Sequence, residues 1–139
     1  MELTAVALQT VAENQNVLFT DTVVCGCPSI IHRGGSGLVT LRGLTNQCRA
    51  RFKVSFGANI AIPTGGTVEP ISLAISIDGE PLASTLMIET PAAVEEFNNV
   101  FSAIFINVPA GCCLTVGVRN TSTQAIEVQN ANLIVERVA

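Results

Sequence analysis

Tryptophan and tyrosine are absent from this 139-residue chain, and it has a single histidine. Six phenylalanines supply all of its aromatic area. Surfaces that stack sugars or single-stranded bases use flat, amphipathic rings, which this chain does not offer. Charge is scarce too, at 13% of residues against about 25% in ordinary soluble domains. Seven basic side chains meet eleven acidic ones, for a net charge of −4. That leaves no basic stripe to displace counterions from phosphates, so no nucleic-acid partner is expected. No apolar run approaches the ~20 residues of a membrane-spanning helix, and no membrane partner is expected. Met1-Glu2-Leu3-Thr4 lacks the basic start and apolar block of an export signal. Disorder is excluded as well, because 48% of the residues are apolar and the mean hydropathy is +0.49.

What is present is one domain's worth of hydrophobic sequence. A monomer of this mass exposes roughly 7,000 Å², and so few ionised groups cover that area poorly. Part of the surface is therefore expected to be buried against other copies or another protein. Residues 1–15 are read as an N-terminal strand or arm, and residues 16–139 as the body of the domain.

Period-two alternation dominates the chain. Phe52, Val54 and Phe56 alternate with Lys53, Ser55 and Gly57; Ile71, Leu73, Ile75 and Ile77 alternate with Ser72, Ala74, Ser76 and Asp78. The same pattern runs through residues 100–108, 114–119 and 133–138. Strands are predicted near 3–11, 16–24, 28–32, 38–43, 50–60, 70–78, 82–89, 97–108, 113–119, 125–129 and 131–138. The first also fits helical spacing through Leu3, Ala7, Leu8 and Val11, and Pro91–Glu96 has room for one helical turn. Asp78-Gly79-Glu80-Pro81, Arg33-Gly34-Gly35-Ser36-Gly37 and Pro109-Ala110-Gly111 punctuate the pattern as turns and loops. Eight to ten short strands in one domain predict an all-β, antiparallel β-sandwich. In residues 100–108 both faces are apolar. Phe101 and Phe105 lie opposite Ile104 and Ile106, so one set is expected to leave the core of the subunit.

Chemistry-bearing residues are few. Cys25-Gly26-Cys27, Cys48 and the adjacent Cys112-Cys113 are the nearest approach to a metal constellation, with His32 as an extra ligand. Structural zinc sites space their ligands by two to four residues, and adjacent strand residues point to opposite faces, so no metal site is expected. Small buried thiols in a reducing compartment are the favoured reading, ahead of an intrachain disulfide. His32 has Ser29, Ser36 and Cys27 within reach in sequence, but no nucleophile elbow and no orienting acid. No catalytic residue, cofactor or enzyme activity is expected. Gly34-Gly35-Ser36-Gly37 lacks the lysine and the following helix of a phosphate loop. Glu13, Asp21, Glu95 and Glu96 read as solvated surface, and Asn98, Asn99, Asn130 and Asn132 as turn and strand-edge residues.

Several stretches carry a resemblance. Asn16–Val23, Ile31-His32 and Leu38–Leu41 look like opening strands of trimeric jelly-roll domains. Ala50–Phe56 resembles their central strand, Ile75–Pro81 the strand and turn that follow, and Leu114–Asn120 with Asn130–Arg137 the closing strands. Over most of residues 16–138 the chain is similar to the tumour-necrosis-factor and complement-head superfamily, in the form found in bacteriophage head or fibre proteins and at the tips of spore-surface proteins. The resemblance implies a jelly-roll homotrimer. It also implies that the strands of Phe52, of Phe101 and Phe105, and of Leu133 and Val135 face the trimer axis. Spore-surface relatives follow a Gly-X-Y stalk, which this chain lacks. The expected function is that of a structural virion protein. It would decorate a bacteriophage capsid, with the major capsid protein or other virion proteins as partner, after assembly in the bacterial cytoplasm. The alternative is a receptor- or surface-binding trimer at a fibre tip or on a spore.

Overall fold

β-branched and aromatic residues at alternate positions favour a pleated strand with one dry face, and the long strands follow that rule. The computed structural model of the chain describes residues 1–26, 28–43 and 49–139. Its strands are β1 (Glu2–Ala5), β2 (Gln9–Val11), β3 (Asp21–Val24), β4 (Ile30–His32), β5 (Val39–Arg42), β6 (Arg49–Ala61), β7 (Ile71–Ile77), β8 (Glu80–Pro81), β9 (Met87–Glu89), β10 (Asn98–Pro109), β11 (Cys113–Asn120) and β12 (Ile126–Arg137). One sheet runs β10-β6-β12-β1-β3, with β2 also on β12. The other runs β4-β5-β11-β7-β8, with β9 also on β7. The strand pairings among the described residues are all antiparallel. The architecture is thus the all-β antiparallel sandwich expected from the alternation.

The sheets close on a core to which both contribute. Phe52, Val54 and Phe56 from β6 meet Leu133 and Val135 from β12, Leu73 and Ile75 from β7, and Val116 and Val118 from β11. Phe19 and Phe56 pack edge to face, with ring centroids 6.3 Å apart, a preferred aromatic geometry. Behind the core, Asn120 is fully buried. Its amide donates to the carbonyls of Val11 (3.0 Å) and Gln124 (3.0 Å), and its Oδ1 accepts from the Ser122 amide at 2.9 Å. A buried amide is tolerable only when satisfied in this way.

Local chemistry explains the connections. Asp78 and Gly79 both have positive φ, 52° and 86°, as a tight primed hairpin turn between β7 and β8 requires. At Gly37 an added Cβ would lie 2.6 Å from the Val17 carbonyl oxygen, so only glycine lets residues 16–19 pass so close to the second sheet.

Several boundary expectations need correction. The strand expected over 16–24 is reduced to β3, and 82–89 holds a single 3-10 turn at Ala83–Thr85 before β9. The segment 3–11 is neither one strand nor a helix. It splits into β1 and β2, both on β12, around an exposed bulge at Val6-Ala7-Leu8. The bulge faces a register shift in β12 between Gln129 and Asn132, where Asn130 turns to φ 56°. That turn also makes one strand of the expected 125–129 and 131–138. Pro91–Glu96 forms bends and turns instead of a helical turn, ending at Glu95 with φ 60°, a left-handed value that stops helix propagation.

Candidate functional site

The sheet containing β10, β6 and β12 has an inner face in the core and an outer face that none of the described residues covers. Alternation fixes which residues go where. In β10, Val100, Ile106 and Val108 are buried and Ile104 is half-buried, whereas Phe101, Ala103 and Phe105 point outward. Phe101 is 66% exposed and Phe105 61%. The register sets Phe101 beside Gly57 and Asn132, Ala103 beside Ser55 and Ile134, and Phe105 beside Lys53 and Glu136. The outer face is therefore high and aromatic along β10, and low across β6 at Ser55 and Gly57, beyond which the longer Lys53 and Arg51 stand on the same face. Gly57 sits beneath the Phe101 ring, with 3.6 Å between an added Cβ and Cδ2.

The strands assigned to a trimer axis all lie in this sheet, but their side chains diverge. Phe52, Leu133 and Val135 are fully buried within the subunit, so they cannot touch a neighbouring copy, and that assignment is corrected. The reason is parity: Phe52 and Leu133 occupy the inward positions of β6 and β12, and Phe101 and Phe105 the outward positions of β10. Ile134 is an outward apolar residue of β12 and is 40% exposed.

A second feature lies at the opposite flank of the sheet. Ala5, Ala7, Leu8, Gln9, Leu18 and Thr20 line a cleft of about 210 Å³. Leu18 and Thr20 are exposed because their neighbours Val17 and Phe19 take the inward positions. Gln9 acts as an extra rung of sheet: its Nε2 donates to the Leu18 carbonyl and its Oε1 accepts from the Leu18 amide, both at 3.0 Å. Val6 and Leu8 add exposed apolar area at the rim. The signal for this cleft was the parity of Leu18 against Phe19, which the breadth of the predicted strand 16–24 concealed.

The charged and sulfur-bearing residues are dispersed. Cys25, Cys112 and Cys113 are exposed and free, which corrects the expectation of buried thiols. They follow β3 or sit at the turn into β11, outside the strand interiors. Cys27 and Cys48 lie outside the described residues. His32 closes β4, with Nε2 2.9 Å from the Ser36 carbonyl oxygen. The Ser36 hydroxyl is occupied by the Leu38 amide, and Ser29 is buried. No group of three or more potential metal ligands occurs among the described residues. Glu13, Asp21, Glu95 and Glu96 are exposed. Glu127, which the sequence did not flag, is half-buried beside Glu95. Burial pushes its carboxyl above the usual range, and the charge and hydrogen bond of Glu95 push it the same way.

No family model matches the chain, and no curated protein matches it. Among solved structures it is similar to the globular domain of a zebrafish complement 1qA protein, with a TM-score of 0.64 and 12% identity over 96% of this chain and 93% of that one. It is also similar to the C-terminal domain of EclA, described as a sugar-binding protein (TM-score 0.44, 14% identity, 95% and 79% covered). A third is an isomalto-dextranase of Arthrobacter globiformis T6 complexed with panose (TM-score 0.32, 13% identity, 91% and 23% covered). At such identities the likeness is one of fold, and only the first is near enough to bear on it.

Proposed function

Taking the complement-head-like jelly roll as its fold, we propose that this chain works without catalysis, as a trimer-forming structural module that acts through its surfaces. The observation carrying this reading is the pair of exposed rings, Phe101 and Phe105, on the unpartnered face of the β10-β6-β12 sheet. A sparsely charged protein gains by covering such a patch, and three copies around an axis cover it three times with one design. A non-enzymatic role is supported by His32, whose Nε2 partner is a backbone carbonyl. The setting we propose is a virion surface, where the trimer decorates a bacteriophage head assembled in the bacterial cytoplasm. Its partner there is the major capsid protein. Modest contact energies repeated over many symmetric sites then stiffen the shell.

Light scattering on the purified protein tests the assembly, and a stable monomer at micromolar concentration overturns it. Incubation with purified empty capsids tests the setting. Stoichiometric attachment in threefold register is expected. Binding to bacterial cells without capsid attachment replaces the decoration role with that of a receptor-binding tip.

A further inference from the structure

A ring of identical subunits closed by a threefold rotation joins two different patches, so every copy carries both halves of the contact. The two flanks of the first sheet differ in the way such a contact needs. On the β10 flank Phe101 projects as a ring, 66% exposed. On the β1–β3 flank the cleft between Leu8 and Leu18 is apolar and about 210 Å³ in volume. A cavity of about 150 Å³ admits a benzene molecule, so the cleft has room for a phenyl ring.

The two features lie at nearly the same height. Phe101 pairs with Gly57, Gly57 with Asn132, Asn132 with Thr4, and Thr4 with Asp21. Ala5 and Thr20, on the wall of the cleft, are the next residues along. Charge is uneven across the same face. Arg51 and Lys53 lie on outward positions of β6 near the β10 flank, with Glu136 of β12 beside Lys53, while Glu2 and Asp21 lie on β1 and β3. Opposite signs on opposite flanks favour joining a flank to its unlike counterpart and oppose joining like to like. The cleft is also pre-formed, because the two Gln9 bonds hold the Leu18 backbone in place and spare the cost of ordering it on association.

We infer that the Phe101 ring of one copy seats in the Leu8–Leu18 cleft of the next, joining the trimer head to tail. This inference rests on the trimer reading, and it goes further by naming the two halves of the contact. Phe101 is the anchor, the cleft its socket, and Gln9 a positioning residue for the socket.

A double-mutant cycle on the assembly tests it. Wild type, Phe101→Ala, Leu18→Ala and the double variant are compared by sedimentation over a range of concentrations, with far-UV circular dichroism confirming the β-fold. Each single substitution should raise the midpoint concentration of dissociation by about tenfold or more. The double variant should be little worse than either single one, because both remove the same contact. Phe101→Leu, a smaller apolar anchor, should fall between wild type and Phe101→Ala. Fully additive losses, or an unchanged midpoint for Phe101→Ala in a trimeric protein, overturn the pairing and leave the trimer standing. A monomeric wild type overturns the trimer reading itself.

Discussion

Replacing Phe105 by Asp separates two roles that one ring can play. Phe105 is 61% exposed in the subunit. For a side chain of roughly 200 Å², that leaves about 120 Å² free to be covered. At about 25 cal/mol per Å² this is ~3 kcal/mol for each copy, and about three times as much for a trimer. A carboxylate in the same place adds a desolvation cost. Within the subunit the loss is only that of strand preference at an outward site, about 1 kcal/mol. Phe105→Asp should therefore keep its far-UV signature while sedimenting as a monomer at micromolar concentration, with a urea midpoint lowered to that of the lone subunit and no longer dependent on protein concentration. A variant that still sediments as a trimer shows that the ring lies outside the interface. A variant that unfolds shows that the ring belongs to the core, and either result refutes the reasoning.

Phe52→Ala should behave in the opposite sense, losing about 3–5 kcal/mol of subunit stability in urea titration, because its fully buried ring leaves a cavity. Asn120→Ala strands the Val11 and Gln124 carbonyls and the Ser122 amide, so it should cost at least about 2 kcal/mol by the same assay. Glu127 holds its proton more tightly in the folded chain than in the unfolded one. Wild-type stability should thus fall as pH rises from the ordinary carboxylate range through the raised folded value, and stay reduced above it. Glu127→Gln should remove that slope and raise the urea midpoint at neutral pH. A steeper slope in the variant would contradict the assignment.

How far the sequence reaches is clearest in β10 and β12. The alternation in 97–108 predicts β10 to within a residue at each end, because strand geometry needs only local information. Choosing its inward face needs more. Ile104 and Ile106 compete with Phe101 and Phe105, and the winner depends on which parity the neighbouring β6 presents to the core. The same gap explains why Phe52, Leu133 and Val135 were grouped with the two exposed rings. They share a sheet, which the pattern conveys, and face opposite ways, which it does not. The cleft was harder still to foresee. It arises from the Val6-Ala7-Leu8 bulge, the Gln9 side chain bonding to Leu18 and the compensating shift at Asn130, which is far from the other two in the chain. The thiols show the converse. Cysteine's apolar character suggested burial, but Cys25, Cys112 and Cys113 fall where strands end, and position outweighed propensity.

The place of β1 governs how this molecule comes into being. It lies between β12 and β3, with Leu3 opposite Leu133. During synthesis the chain's opening residues therefore wait for its closing ones, on the order of ten seconds at ordinary elongation rates. Until then Leu3 and Val11, both destined for the interior, lack the strand that will shelter them. Pairing across nearly the whole length makes for slow, high-contact-order folding. The first sheet is complete only once β12 has been made, and any ring of subunits is built from chains in which that strand is already in place.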